Sequence, residues 1–147
     1  MIMTEGPDPR EVAAALHVSI GLFVGRLRQV PVQEELSMPE ISALTRLDRM
    51  GPTTPGEMAK ATQISPQGIG TTLAALEERG YVERQGDPAD GRRVLMSATD
   101  AGRRMLRNKE TARAEQLGRA LSEGFTREDL QTLLAAAGLI ERLGDAI

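Results

Sequence analysis

Apolar side chains recur at intervals of three and four from Val12 through Leu16, Ile20, Phe23 and Leu27 to Val30, which is one face of a helix. The spacing predicts a helix over 10–30, ended by Pro31, after a loose tail over 1–9 that carries Gly6, Pro7 and Pro9. Ser37-Met38-Pro39-Glu40 then places a cap, a first-turn proline and an acid three residues on, a helix-start signature. Ile41, Leu44 and Leu47 are its expected buried stripe, and Gly51-Pro52 its end. Thr54-Pro55-Gly56-Glu57 repeats the signature and opens a short helix over 55–61. Ser65-Pro66 opens a third, which runs to Arg79, where Gly80 supplies the left-handed stop.

After Gly80 the pattern changes. Residues 81–85 and 93–97 read as two strands around 86–92, a segment dense in Gly, Asp and Pro, and so as a hairpin with a long polar loop. Thr99 is positioned to cap a long helix reaching about residue 121, broken by Glu123-Gly124. Thr126-Arg127-Glu128-Asp129 opens the last helix, with a stripe of Leu130, Leu133, Leu134, Ala137, Ile140, Leu143 and Ile147. The predicted architecture is mainly α with a small β-hairpin, within one domain spanning 1–147.

Composition narrows the function. The chain has 147 residues and no cysteine, which excludes disulfides, Cys-ligated zinc, iron–sulfur clusters and thiol redox sensing. A single histidine, His17, leaves no Ser-His or Cys-His pair beyond itself, no phosphate loop is present, and no His-built metal site is expected. The expectation is therefore a non-enzymatic protein without cofactor or metal. No stretch is apolar enough to span a membrane and no signal-peptide pattern opens the chain, so the expected location is cytoplasmic. Aromatic residues are 2%, too few for a platform that stacks single-stranded nucleic acid.

Net charge is −3, from 18 basic and 21 acidic side chains. Its distribution matters more than its sum. Residues 53–107 hold 8 basic and 7 acidic side chains and are the least acidic third, with Arg79, Arg84, Arg92, Arg93, Arg103, Arg104 and Arg107 late in the segment. A local basic surface is compatible with an acidic protein.

The short helix, its three-residue turn and the helix after Ser65 form a helix-turn-helix candidate. Ala59 is small where the two helices approach. Ile69, Leu73 and Leu76 lie within about 60° of one another on the inward face, joined by Ile64 from the turn. The opposite face carries Gln67, Thr71, Ala74, Ala75 and Glu78. In a recognition helix, Gln67 suits adenine, and Thr71 suits a thymine methyl, a base or a phosphate. Ser65 and the free amides of the first turn suit a phosphate, and Gly68 suits a close backbone approach to DNA. The bland reading is an ordinary helix pair with a polar surface. The hairpin that follows favours a winged helix-turn-helix instead.

At this point the sequence closely resembles the MarR family of bacterial transcriptional regulators. The resemblance is carried by Leu36-Ser37-Met38-Pro39-Glu40 with Leu44 and Leu47, by Ile64-Ser65-Pro66, and by 73–80, which reads LAALEERG. Most specific is 81–102, YVERQGDPADGRRVLMSATDAG: Asp90 and Arg92 fit the family's Asp-x-Arg, and Thr99 and Gly102 its Thr-x-x-Gly. The resemblance implies a homodimer on a pseudo-palindromic operator in double-stranded DNA. Residues 10–35 and 104–147 would mainly form the dimerisation helices and 36–103 the DNA-binding lobe. It places Arg92 at the wing tip in a minor groove, with Asp90 bracing its guanidinium, and makes Arg93, Arg84 and Arg79 candidate phosphate contacts. It also implies a repressor released by a small aromatic or phenolic effector, with His17, Phe23, Arg26, Leu44, Asp48 and Met105 as candidate lining. The recognition helix departs from the family: there is no basic residue near Thr71, no Asp-Arg pair at Ala74-Ala75, and Gly68 and Gly70 interrupt it. Sparse base readout is expected, with more weight on the wing, DNA shape and water. The rival readings are a protein-binding winged helix, which the acidic balance and Ala74-Ala75 favour, and an architectural DNA binder of low sequence selectivity.

Overall fold

The computed structural model describes residues 5–33 and 35–147. The chain divides into two units, with the boundary after Gln33.

The first unit contains α1 (Pro9–Gln29). Asp8 caps it, its carboxylate accepting the Arg10 N–H at 3.0 Å, and Pro9 occupies the first turn. This corrects the reading of Pro9 as tail: proline's fixed φ suits the first helical position, where its missing N–H has no partner to lose. Residues 1–4 of that predicted tail lie outside the described residues.

The second unit runs α2 (Met38–Met50), α3 (Pro55–Thr62), α4 (Pro66–Glu78), β1 (Val82–Gly86), β2 (Val94–Ala98), α5 (Asp100–Leu106), α6 (Ala112–Gly124) and α7 (Arg127–Ala146). Ser37, Thr54, Ser65, Thr99 and Thr126 all cap the helices they were expected to open, each side chain accepting a backbone N–H three residues on. Ser37–Glu40 and Thr126–Asp129 complete reciprocal capping boxes. The predicted long helix after Thr99 is two helices. The Asn108 side chain accepts the Glu110 N–H at 2.9 Å, and Thr111 accepts that of Ala114 at 3.1 Å. These local side-chain bonds compete with the helical ladder and restart it at Ala112.

The strands pair antiparallel, Val82 opposite Ala98 and Gly86 opposite Val94. Both begin one residue later than predicted. Tyr81 belongs to the helix stop, its N–H returning to the Leu76 carbonyl at 2.9 Å. Thr53 adds one rung to the outer side of β2, exchanging both backbone bonds with Met96 at 3.1 and 2.8 Å.

The core of this unit lies where α2, α3, α4 and the hairpin meet: Ala43, Leu44, Leu47, Met58, Ala59, Ile69, Leu73, Leu76, Val82, Met96 and Ala98. Ile41, expected within the α2 stripe, is 39% exposed; Ala43 takes the inward place. Gly102 in α5 closes the packing. A Cβ there would stand 2.3 Å from the Tyr81 carbonyl oxygen and 3.0 Å from Leu44 Cδ1, so only glycine admits this approach.

The terminal helices behave differently. No residue of α1, α6 or α7 is buried in the single chain. Helix α7 is tied to α2 by Arg49, whose guanidinium donates to Glu141 and Asp145 at 2.5 Å each. Among the described residues no helix is long and apolar enough to cross a membrane.

Candidate nucleic-acid interface

Helices α3 and α4 are joined by Gln63, Ile64 and Ser65, and Gln63 turns the chain with φ +55°. Ile69, Leu73 and Leu76 fix the inner face of α4 in the core. Gln67, Thr71 and Ala74 are consequently exposed on the opposite face, with Ala75 half-buried beside them. The Ser65 hydroxyl accepts the Gly68 N–H at 3.0 Å, which leaves its own O–H for an outside acceptor. The Thr71 hydroxyl donates to the Gln67 carbonyl at 3.1 Å, so Thr71 presents its methyl group and oxygen lone pairs rather than a free donor. Gly68 has an internal reason to be glycine: a Cβ would meet Ile64 Cγ2 at 2.9 Å and Ser65 Oγ at 3.2 Å. Gly70 meets no such limit.

The hairpin loop is held by its own aspartates. Asp87 Oδ1 accepts the Ala89 N–H at 2.9 Å, and Asp90 Oδ1 accepts the Arg92 N–H at 3.0 Å. Backbone bonds from Asp87 N–H to the Arg93 carbonyl and from Arg93 N–H to the Asp90 carbonyl, both 3.0 Å, close the loop. The expected Asp90 brace therefore acts on the Arg92 main chain and not on its guanidinium. A short Asp side chain in a turn reaches the N–H two residues on and forms an Asx-turn. The Arg92 side chain makes no ion pair among the described residues and projects from the exposed loop.

The other candidate phosphate contacts are engaged. Arg84 Nε donates to Glu77 at 2.9 Å. Arg93 Nη2 donates to Glu57 in the first turn of α3 at 3.1 Å, and its Nε lies 3.8 Å from Asp87. Arg79 folds back, its Nη1 3.4 Å from Glu40 and its guanidinium 4.9 Å above the Tyr81 ring. By sequence alone Glu57 and Glu77 read as capping or solvated charge. Their partners lie 36 and 7 residues away, and no local spacing announces the first of these. The Thr53 hydroxyl donates to Glu57 at 2.5 Å. That bond, with the Thr54 backbone bond and the nearby Arg93 cation, holds the Glu57 carboxyl below its ordinary pKa against a desolvation that raises it.

The residues expected to line an effector cleft fall in both units. Leu44 is wholly buried in the core, and Met105 is half-buried on α5. The Asp48 carboxylate accepts from Arg103 at 3.1 Å and Arg107 at 3.0 Å, tying α2 to α5. His17, Phe23 and Arg26 are exposed on α1, where His17 and Arg26 stand about 180° apart around the helix and share no face. The second unit has an open groove lined by Gly51, Glu83, Gln85, Asp100 and Arg103 among others, with Asp48 the one effector candidate at its wall.

Comparison with known proteins agrees with this geometry. The MarR family pattern matches residues 35–93. An uncharacterized HTH-type transcriptional regulator of Mycobacterium leprae is 32% identical over 135 residues, 91% of this chain and 93% of that protein. Two solved structures share the fold. Bordetella bronchiseptica BpsR, whose DNA binding is regulated by 6-hydroxynicotinic acid, is 23% identical with a TM-score of 0.54 over 92% of this chain and 99% of its own. A mutant of Escherichia coli MarR in complex with operator DNA is 20% identical with a TM-score of 0.53 over 91% and 99%. Helix-turn-helix, hairpin wing, family pattern and full-length relative agree: the chain belongs to the MarR family and is a DNA-binding, winged helix-turn-helix transcriptional regulator, not an enzyme.

Proposed function

We propose that the chain works as a homodimeric repressor that binds a pseudo-palindromic operator and is released by a small aromatic or phenolic effector. The observation that carries the reading is Arg92, an exposed cation without an ion pair among the described residues, held out on a loop whose backbone Asp90 fixes. Arg92 enters a minor groove, where a narrow groove concentrates negative potential. Gln67 and the Thr71 methyl read the adjacent major groove, and Ser65 with the Gly68 turn holds a phosphate. Arg84 and Arg93 reach phosphates by exchanging their carboxylate partners for DNA.

Residues 36–103 form the DNA-binding lobe, and 10–35 with 104–147 supply the dimerisation helices. The unburied apolar stripe of α7 supports that division. Two lobes related by a two-fold axis match half-sites one helical turn apart. Effector release is a shift between lobe spacings, only one of which fits those half-sites. The precedent is BpsR, whose DNA binding is regulated by 6-hydroxynicotinic acid.

The test is selection of bound fragments from sheared genomic DNA of the source by purified protein. The winning fragment is then titrated against salt and unrelated competitor. An enriched inverted repeat with steep salt dependence is the expected result. Enrichment without an inverted repeat, or competition by any duplex, indicates an architectural binder. No enrichment by a folded dimer indicates a protein-binding winged helix or a DNA-incompetent, effector-loaded state, which a search for bound small molecules separates.

A further inference from the structure

Glu57 stands where a DNA-binding protein gains least from a negative charge. It lies in the first turn of α3, the first helix of the helix-turn-helix, and in that motif the first helix crosses the phosphate backbone. Its two oxygens are separately engaged: Oε2 accepts the Thr53 hydroxyl at 2.5 Å and Oε1 the Arg93 guanidinium at 3.1 Å. Thr53 is itself anchored by two backbone bonds to Met96 in β2. The carboxylate is thus aimed from a fixed point at the mouth of the wing. Arg93 is drawn toward α3, while its neighbour Arg92 is left without such a hold.

We propose that Glu57 is an affinity-limiting residue: it occupies Arg93 as a phosphate would, so that every duplex must compete with it for that cation. The proposal rests on the reading of the wing as a DNA contact and adds to it an internal competitor. Two consequences follow physically. Arg93 adds to non-specific affinity only when Glu57 is displaced, and the displaced carboxylate is then left near the backbone. Both lower affinity for any sequence alike, so the contrast between operator and bulk DNA rests more on Gln67, Thr71 and Arg92.

The experiment uses the full chain and a mixed-sequence duplex, titrated at several salt concentrations. Glu57→Gln removes the charge and keeps an amide oxygen as acceptor for Thr53. Affinity should rise roughly two- to fivefold, the range that an exposed ion pair represents. The slope of log affinity against log salt should steepen by up to about 0.9, one additional phosphate contact. Measured against Arg93→Gln, Glu57→Gln/Arg93→Gln should show no added salt slope and only the smaller affinity gain that comes from removing the carboxylate. Unchanged or weaker binding by Glu57→Gln, while Arg92→Ala still weakens binding, overturns the proposal and makes the Glu57–Arg93 pair a structural brace of the wing. If Arg92→Ala is also without effect, the wing reading beneath it has failed.

Discussion

Asp90 accepts the backbone N–H of Arg92 at 3.0 Å, so the acid of the Asp-x-Arg pair shapes the loop and leaves the arginine's charge available. An acceptor, not a charge, is what the position needs. Asp90→Asn keeps a side-chain oxygen at the same reach and should bind operator within about twofold of the parent, since asparagine forms the same turn. Asp90→Ala loses the bond and should weaken binding toward the level of Arg92→Ala. Titrating both variants on one duplex decides it; a loss in Asp90→Asn equal to that in Asp90→Ala would return the role to charge.

Arg92→Ala removes a side chain without an ion pair in the described structure, so its thermal midpoint should match that of the parent. Its affinity for the selected fragment should fall by about 1–3 kcal/mol, the range for an arginine that reads a groove. Calorimetry and a DNA titration separate the two quantities. Equal affinity would remove the wing tip from recognition.

Much of this arrangement is legible from the chain because its signals are local. Ser37, Thr54, Ser65, Thr99 and Thr126 each bond to a backbone N–H three residues away, so their helix starts appear as short motifs. The inner face of α4 follows from the spacing of Ile69, Leu73 and Leu76. Two classes of feature are hidden. Asn108 and Thr111 break the long helix through bonds that resemble ordinary surface polarity until the backbone is seen. The ion pairs of Arg93 with Glu57 and of Arg103 and Arg107 with Asp48 join residues 36 to 59 positions apart, and such pairings depend on the tertiary fold. Sequence therefore identifies the cations of the wing but not which of them are already held.

Gly102 tests the junction between hairpin and α5. A methyl group there would stand 2.3 Å from the Tyr81 carbonyl oxygen, a backbone atom that Thr99 N–H also binds at 3.0 Å. Backbone cannot rotate away as a side chain can. Gly102→Ala should lower stability by about 1–3 kcal/mol despite alanine's better helix propensity. Denaturant unfolding measures the change, and a variant as stable as the parent would show that α5 can shift without loss.

Helix α7 tests assembly. Leu133 and Leu134 are exposed in the single chain, Leu134 at 80%, and they lie in a stripe that continues through Ile140 and Leu143. The ties of α7 to α2 include the Arg49 pairs with Glu141 and Asp145, whose carboxylates are mostly exposed. Surface ion pairs of this kind contribute little, whereas each fully buried leucine contributes about 1.5–3 kcal/mol. If a second copy covers the stripe, Leu133→Glu/Leu134→Glu should halve the mass measured by light scattering. It should also abolish operator binding, because one lobe meets only one half-site. Arg49→Ala, which removes the ion pairs and keeps the stripe, should remain dimeric. A double-leucine variant that keeps the parent's mass would show that the stripe is not the dimer seam and would move the search for it to α1 and α6.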